Sequence, residues 1–274
     1  MKTTLVSFAT PELRGLQEAQ ASSAIAAGGI DDVIAWDAPR LSQTAFSAQH
    51  RAILSQPRGS GYWLWKPFII LEALRQSQPG DVVVYYDVGR RRPHVFHVSI
   101  RPLVERCIAQ GGLIPGVYIP LMGPSRRWTK RDCFILMKCD TQEYWDHCQV
   151  QATFSVWKHC PRALDFVEEW LACCVDPRIL TDMPNECGEE NFPDFIDHRH
   201  DQSVLTNLVV KHGIPCMGDE KRHAPFSKDI NWAVGRVRSP LLCGAFDATY
   251  RALKRVRSCL TQSHAGHNTA AWPL

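Results

Sequence analysis

The sequence lacks any apolar run of the roughly 18 to 20 residues needed to cross a bilayer. Its longest apolar strand-like stretch is Val82 to Tyr86, so an integral membrane protein is not expected. The chain also has little net charge. Thirty-one Lys and Arg face 28 Asp and Glu, a formal +3, too small an excess for a protein whose main partner is nucleic acid. Any anion site must therefore be local. No Cys-x-x-Cys pair occurs among 11 cysteines, an odd count with Cys173 and Cys174 adjacent, so neither a zinc ribbon nor a disulfide ladder fits. Reduced, mostly buried thiols in a cytoplasm are expected instead. No Gly-x-Gly-x-x-Gly follows the first apolar segment, where Ala9-Thr10-Pro11-Glu12 stands, which argues against a dehydrogenase. Internal repeats, low-complexity tracts and an interdomain linker are missing too.

What is present is ordinary globular composition: 274 residues, 45% hydrophobic and 22% charged. Disorder, collagen and a bare coiled coil are excluded. Lys2 followed by Thr3 to Thr10 resembles a short leader, but Pro11 and Glu12 close it, and it reads as a first strand, Leu5 to Ala9. Thr10 and Pro11 open a helix through Leu13, Leu16, Ala24 and Ile25, which Gly28 and Gly29 stop. Asp31 to Asp37 gives a second strand, then a helical stretch to Leu54 and a loop at 56 to 61. Pro67 opens a further helix, and Pro79-Gly80 turns into the strand Val82 to Tyr86. This β-α-β-α opening predicts a parallel sheet.

Downstream, residues 149 to 157 alternate strictly: Val150, Ala152, Phe154 and Val156 against Gln149, Gln151, Thr153, Ser155 and Trp157. That pattern predicts one half-buried strand with a polar face. Pro161 starts a helix with the stripe Leu164, Val167, Trp170, Leu171 and Cys174, and an irregular segment follows to about His198. Asp201 stands where it can cap a helix bearing Val204, Leu205, Leu208 and Val209, and Ile214 to Met217 reads as a short strand.

The most informative segment is Tyr85-Tyr86-Asp87-Val88-Gly89, where a buried strand delivers a carboxylate and a glycine to its carboxyl end. In open α/β sheets ligands bind at that edge. Asp87 there suits a ribose hydroxyl or a hard cation, and Gly89 admits a diphosphate close to the backbone; a plain Asp-Val-Gly turn reads the same way. Gly61 to Pro67 places Trp63, Trp65 and Lys66 at a helix start, making Lys66 a candidate phosphate contact and either tryptophan a stacking surface or core. Arg90, Arg91 and Arg92, and then Arg126, Arg127, Lys130 and Arg131, are basic clusters able to grip a diphosphate, or simply solvated surface. Tyr250, Arg251, Lys254, Arg255 and Arg257 interleave with apolar residues, a pattern that predicts a basic amphipathic helix suited to an anionic membrane or to solvent.

Four segments, Gly61-Tyr62-Trp63-Leu64-Trp65-Lys66-Pro67, Tyr85-Tyr86-Asp87-Val88-Gly89, Trp128-Thr129-Lys130-Arg131-Asp132 and His200-Asp201-Gln202-Ser203, together resemble the bacterial GT-A-fold sugar-nucleotide glycosyltransferases of capsule and O-antigen synthesis. The likeness runs from about Thr3 to the region of Trp232. It implies an α/β, Rossmann-like single domain over 1–274 with a central, mostly parallel mixed sheet flanked by helices. Residues 1–120 would form a nucleotide-binding half, 121–245 an acceptor half, and 246–274 the basic helix and tail. It further implies a nucleoside diphosphate sugar as donor and a glycan or lipid-linked glycan as acceptor, at the inner face of the plasma membrane.

In residue terms, the resemblance assigns Lys66, Trp65, Tyr86, Asp87, Gly89 and Arg131 to the donor, and Gln151 and His200 to the acceptor. Asp201 and Gln202 become the catalytic pair. A divalent cation, Mn²⁺ or Mg²⁺, would sit on Asp87. Gly89 departs from the family's Tyr-x-Asp-x-Asp pattern and removes the second expected metal ligand. A non-catalytic nucleotide-sugar or glycan binding protein of the same fold is the alternative that this departure favours.

Overall fold

The computed structural model describes residues 1–90 and 93–218. Arg91, Arg92, the Trp232 region and the basic helix expected near the C-terminal end lie outside the described residues. Strand β1 (Thr3–Ala9) is buried along its whole length. A 3-10 turn at Pro11–Leu13 leads into α1 (Arg14–Ser23) and a π-helical turn at Ala24–Gly28. Strand β2 (Asp32–Asp37) follows, then three helices of four or five residues to Leu54. Helix α2 (Trp65–Gln76) precedes β3 (Val82–Tyr86), and α3 (Arg101–Ala109) precedes β4 (Leu113–Ile114). Next come β5 (Val117–Pro124), α4 (Arg131–Leu136), β6 (Cys148–Gln151), β7 (Phe154–Lys158), α5 (Pro161–Cys174) and α6 (Asp201–Lys211).

The central sheet has the order β2-β1-β3-β7-β4. β1 pairs in parallel with both β2 and β3, while β7 runs antiparallel to β3 and to β4. Four of the five strands therefore share one direction, the expected α/β architecture with a mixed sheet. The period of two sorts the strand side chains. Val6, Phe8, Val83, Tyr85 and Trp157 face the layer made by α2 and α5, whereas Leu5, Val84, Tyr86 and Val156 face α3. Burial on both faces explains why β3 reads as an unbroken apolar run and why apolar residues fall on both faces of β1.

Four local expectations are corrected. The stretch 149–157 is two strands: β6 joins β5 in a two-stranded ladder, and a turn at Ala152-Thr153 sends β7 into the central sheet. Its polar positions are not a solvent face, because Gln149 and Ser155 are buried with partners. Helix α2 begins two residues before Pro67. Asp201 is the first residue inside α6, with His200 at the capping position. Ile214 to Met217 forms only a single bridge, Val117 to Met217.

The irregular segment 181–197 is held by polar anchors. The Asp132 carboxylate accepts from the amides of Glu186 and Cys187, Asn185 accepts from the Asp132 amide, and Asn191 from that of Arg131. Lys130 Nζ donates to the carbonyl of Met183. The nine described cysteines are all free thiols, and burial pushes those of Cys133 and Cys174 well above the ordinary range.

Candidate functional site

The chain order creates a crevice at one place on the sheet. From β1 the chain moves to β2 on one side, then crosses back to β3 on the other. The carboxyl ends of β1 and β3 thus flank the point where strand order reverses, the position where open α/β sheets bind ligands. Asp87 is the first residue beyond β3.

Its backbone is fixed from three sides. The Asp87 amide donates to the Thr153 carbonyl at 2.9 Å, and the Asp87 carbonyl accepts from Gln20 Nε2 at 2.9 Å and contacts His94 Nδ1 at 2.7 Å. The side chain is clamped as well: the Tyr85 hydroxyl donates to Oδ1, and Lys66 Nζ lies 3.7 Å from the same oxygen. Lys66 also sits 2.8 Å from Asp201 Oδ2. The Lys66 and Asp201 side chains are only 4% and 5% exposed, against 27% for Asp87, so Asp87 is the member of the trio that solvent reaches.

The electrostatics follow from burial. Burial would lower the Lys66 ammonium, but the charges of Asp201 and Asp87 outweigh it and hold Lys66 above its ordinary value. Burial raises Asp201 to about 6 despite the opposing pull of Lys66, and Asp87 adds to the rise. Tyr85 is driven well up by burial and by Asp87, so it stays a donor. Two carboxylates and one ammonium together carry one formal negative charge.

Beside this trio the chain takes an unusual path. Gly59, Ser60, Gly61, Tyr62 and Trp63 all have positive φ, between 51° and 94°. Gly61 is required there, since an added Cβ would come within 2.6 Å of the Leu54 backbone. Left-handed backbone at three non-glycine residues costs roughly 1–2 kcal/mol each and persists only where packing over-determines it. The packing is visible: the rings of Tyr62 and Trp63 lie 4.9 and 5.6 Å from the His200 ring. His200 itself has φ 55° and ψ −123°. Its Nδ1 contacts the Leu180 carbonyl at 2.8 Å, and burial lowers it to about 3, so the imidazole is neutral. Arg58, next to the turn, pairs with Asp182 and Asp197 at 2.8 and 2.7 Å.

The four segments noted in the sequence meet here. The carbonyl of Trp128 accepts from the Arg199 amide and the Ser203 hydroxyl, joining the third segment to the fourth, while Lys66 joins the first to the second and fourth. Several predicted residues stand elsewhere. Trp65 is core, stacked on Phe8 at 4.2 Å. Tyr86 is 2% exposed and packs on the opposite face of the sheet with His94, Phe96 and Phe154. Arg131 pairs with Asp140 and lies over the Phe192 ring, and Arg126 pairs with Asp146 and Asp194. None of these partners belongs to the trio. Gln202 donates to Gln149, which donates to Ser125 and Thr129, so this amide joins a buried network. Gln151 is half-buried on β6, paired across the ladder with Val117.

Tyr85, Gln20 and His94 were missed. Tyr85 had a signal: residues i and i+2 of a strand share a face, which sets its hydroxyl beside Asp87.

The residues offer a divalent cation little. Gly89, at φ 87°, brings no side chain, and among the described residues no three His, Cys, Asp or Glu side chains gather for a metal. Among the described residues no hydrogen bond or ion pair reaches Asp87 Oδ2, whereas Oδ1 meets both Tyr85 and Lys66. Oδ2 fits a Mg²⁺- or Mn²⁺-type site in which a single carboxylate acts with substrate phosphates and water. His198 and His200 contact the backbone carbonyls of Ile179 and Leu180 and are unsuited as ligands.

No protein-family model matches the chain, and no curated protein matches it. Among solved structures it is similar to the apo form of the bifunctional glycosyltransferase WbbM, with a TM-score of 0.43 and 9% identity over 76% of this chain and 37% of that one. The chain thus spans little more than a third of that structure's length.

Proposed function

We propose that this chain is a glycosyltransferase that takes a sugar from a nucleoside diphosphate donor bound at the crevice between the ends of β1 and β3. The observation that carries the reading is Asp87. A half-buried carboxylate stands at the point of strand reversal, clamped on one oxygen by Tyr85 and Lys66 and open on the other. An open, negatively charged oxygen suits the hydroxyls of a ribose. Gly89, two residues on, has the left-handed backbone that lets a bulky diphosphate approach the chain.

Asp87 would hold a divalent cation through Oδ2, and that cation, when bound, would neutralise charge on the departing diphosphate. This chain's own residues position the donor: Asp87 orients it, Tyr85 keeps that carboxylate in place, and the first turn of α2 adds its amide dipoles nearby. A glycan or lipid-linked glycan of the bacterial surface is the acceptor we favour, reached from the cytoplasmic face of the membrane. No helix among the described residues is long and apolar enough to cross a membrane.

The absent side chain at Gly89 favours a second reading, a nucleotide-sugar binding protein without turnover. One assay separates them. Sugar release or transfer from a panel of nucleoside diphosphate sugars, with and without Mn²⁺, is expected for the wild type and lost in Asp87→Ala. Donor binding with no turnover under any cation or acceptor supports the binding protein, and neither binding nor turnover refutes both.

A further inference from the structure

We propose that Lys66 and Asp201 are positioning residues: together they hold Asp87 so that Oδ2 faces the ligand with its negative charge intact, and Asp201 itself touches no substrate. The inference rests on the transferase reading above and gives Asp201 a different task from the catalytic role that the family resemblance implies.

Three observations lead there. First, access: Asp201 and Lys66 are about 5% exposed or less, while Asp87 is 27% exposed. A general base must come within hydrogen-bond reach of the proton it takes, and only Asp87 offers an oxygen at the opening. Second, division of charge: the ammonium is 2.8 Å from Asp201 and 3.7 Å from Asp87. Coulomb attraction falls with distance, so Asp201 draws the larger share. Lys66 is thereby restrained from closing on Asp87 and cancelling it. Third, rigidity: the Asp87 backbone is bonded to Thr153 and Gln20, its carbonyl also meets His94, and Oδ1 is occupied by the Tyr85 hydroxyl. With those contacts made, Oδ2 is the group left for a ligand.

The arrangement makes a prediction that neither a merely structural pair nor a catalytic base would make. Removing the Asp201 charge frees Lys66 to neutralise Asp87, so binding weakens. Removing Lys66 as well restores the charge on Asp87, so binding recovers. A buried ion pair replaced as a unit by neutral groups is often tolerated in stability, which makes the double variant practicable.

The test is calorimetric binding of the uracil, guanine, adenine and cytosine ribonucleoside diphosphates, with Mn²⁺ present, to the full chain. Folding of every variant is checked by near-ultraviolet circular dichroism. Asp87→Ala and Asp201→Asn should each weaken the diphosphate that binds by about tenfold, the scale of one hydrogen bond to a charged group. The double variant Lys66→Met/Asp201→Asn should return to within about threefold of wild type. Lys66→Gln/Asp201→Asn provides a second double variant of different shape should the first fail to fold. Wild-type affinity in Asp201→Asn overturns the inference, as does a folded double variant that binds as weakly as the single. A wild type that binds none of the four diphosphates refutes the transferase reading and this inference with it, whereas wild-type binding without recovery refutes the inference alone.

Discussion

The buried Asp201 carboxylate should leave a measurable mark on how stability varies with pH. Burial lifts it to about 6 in the folded chain, from an ordinary value of 3.8. Below about pH 4 it is protonated in both states, and above about pH 6 it is ionised in both. Between those limits the folded state binds the extra proton, so this group's contribution falls as pH rises. The gap between 3.8 and about 6 amounts to about 3 kcal/mol. Asp132, Asp176 and Glu169 are shifted downward instead; their contribution is present above their unfolded values and lost as pH falls, the opposite sign. A comparison of wild type with Asp201→Asn cancels them. Urea unfolding of both proteins from about pH 4 to pH 7 should show the wild-type advantage shrinking by about 3 kcal/mol, most steeply near pH 5. A carbon-detected titration of the Asp201 carboxyl in the folded chain should report a midpoint near 6. A wild-type minus variant difference that stays flat across this range would show that the carboxylate is not desolvated as described.

Other outcomes can be stated briefly. Gly61→Ala should cost about 2 kcal/mol in thermal or urea unfolding, because φ is 94° and the new methyl meets the Leu54 backbone; an unchanged melt would show that the turn is not left-handed. Gln149→Leu should cost about 1–3 kcal/mol by orphaning Ser125, Thr129 and Gln202, while leaving nucleotide affinity within about twofold. Asp132→Ala should release the segment 182–190, seen as faster proteolytic cleavage there, since its carboxylate holds the Glu186 and Cys187 amides.

Much of the fold was legible because its determinants are local. Leu5–Ala9 and Val82–Tyr86 carry apolar residues on both faces, and the Gly28-Gly29 and Pro79-Gly80 punctuation bounds the early elements. The alternation through 149–157 misled for a physical reason: a two-residue turn kept the period of two while moving the chain from one sheet to another. Buried Gln149 read as polar surface because its partners lie in other elements. The site was half legible. Lys66, Asp87 and Asp201 were visible as residues, yet nothing local shows that one ammonium would bridge two carboxylates so far apart in sequence. Tyr86 and Trp65 were drawn toward the site by their place in a motif, whereas strand parity turns Tyr86 to the opposite face and Phe8 takes up the Trp65 ring.

The ammonium that bridges two distant acids ties the charge around Asp87 to the docking of a helix much further along the chain. Until residue 201 has emerged from the ribosome and its helix has docked, Lys66 has only Asp87 for company and the two cancel. A chain that ends before that helix would therefore present Asp87 with its charge offset by Lys66.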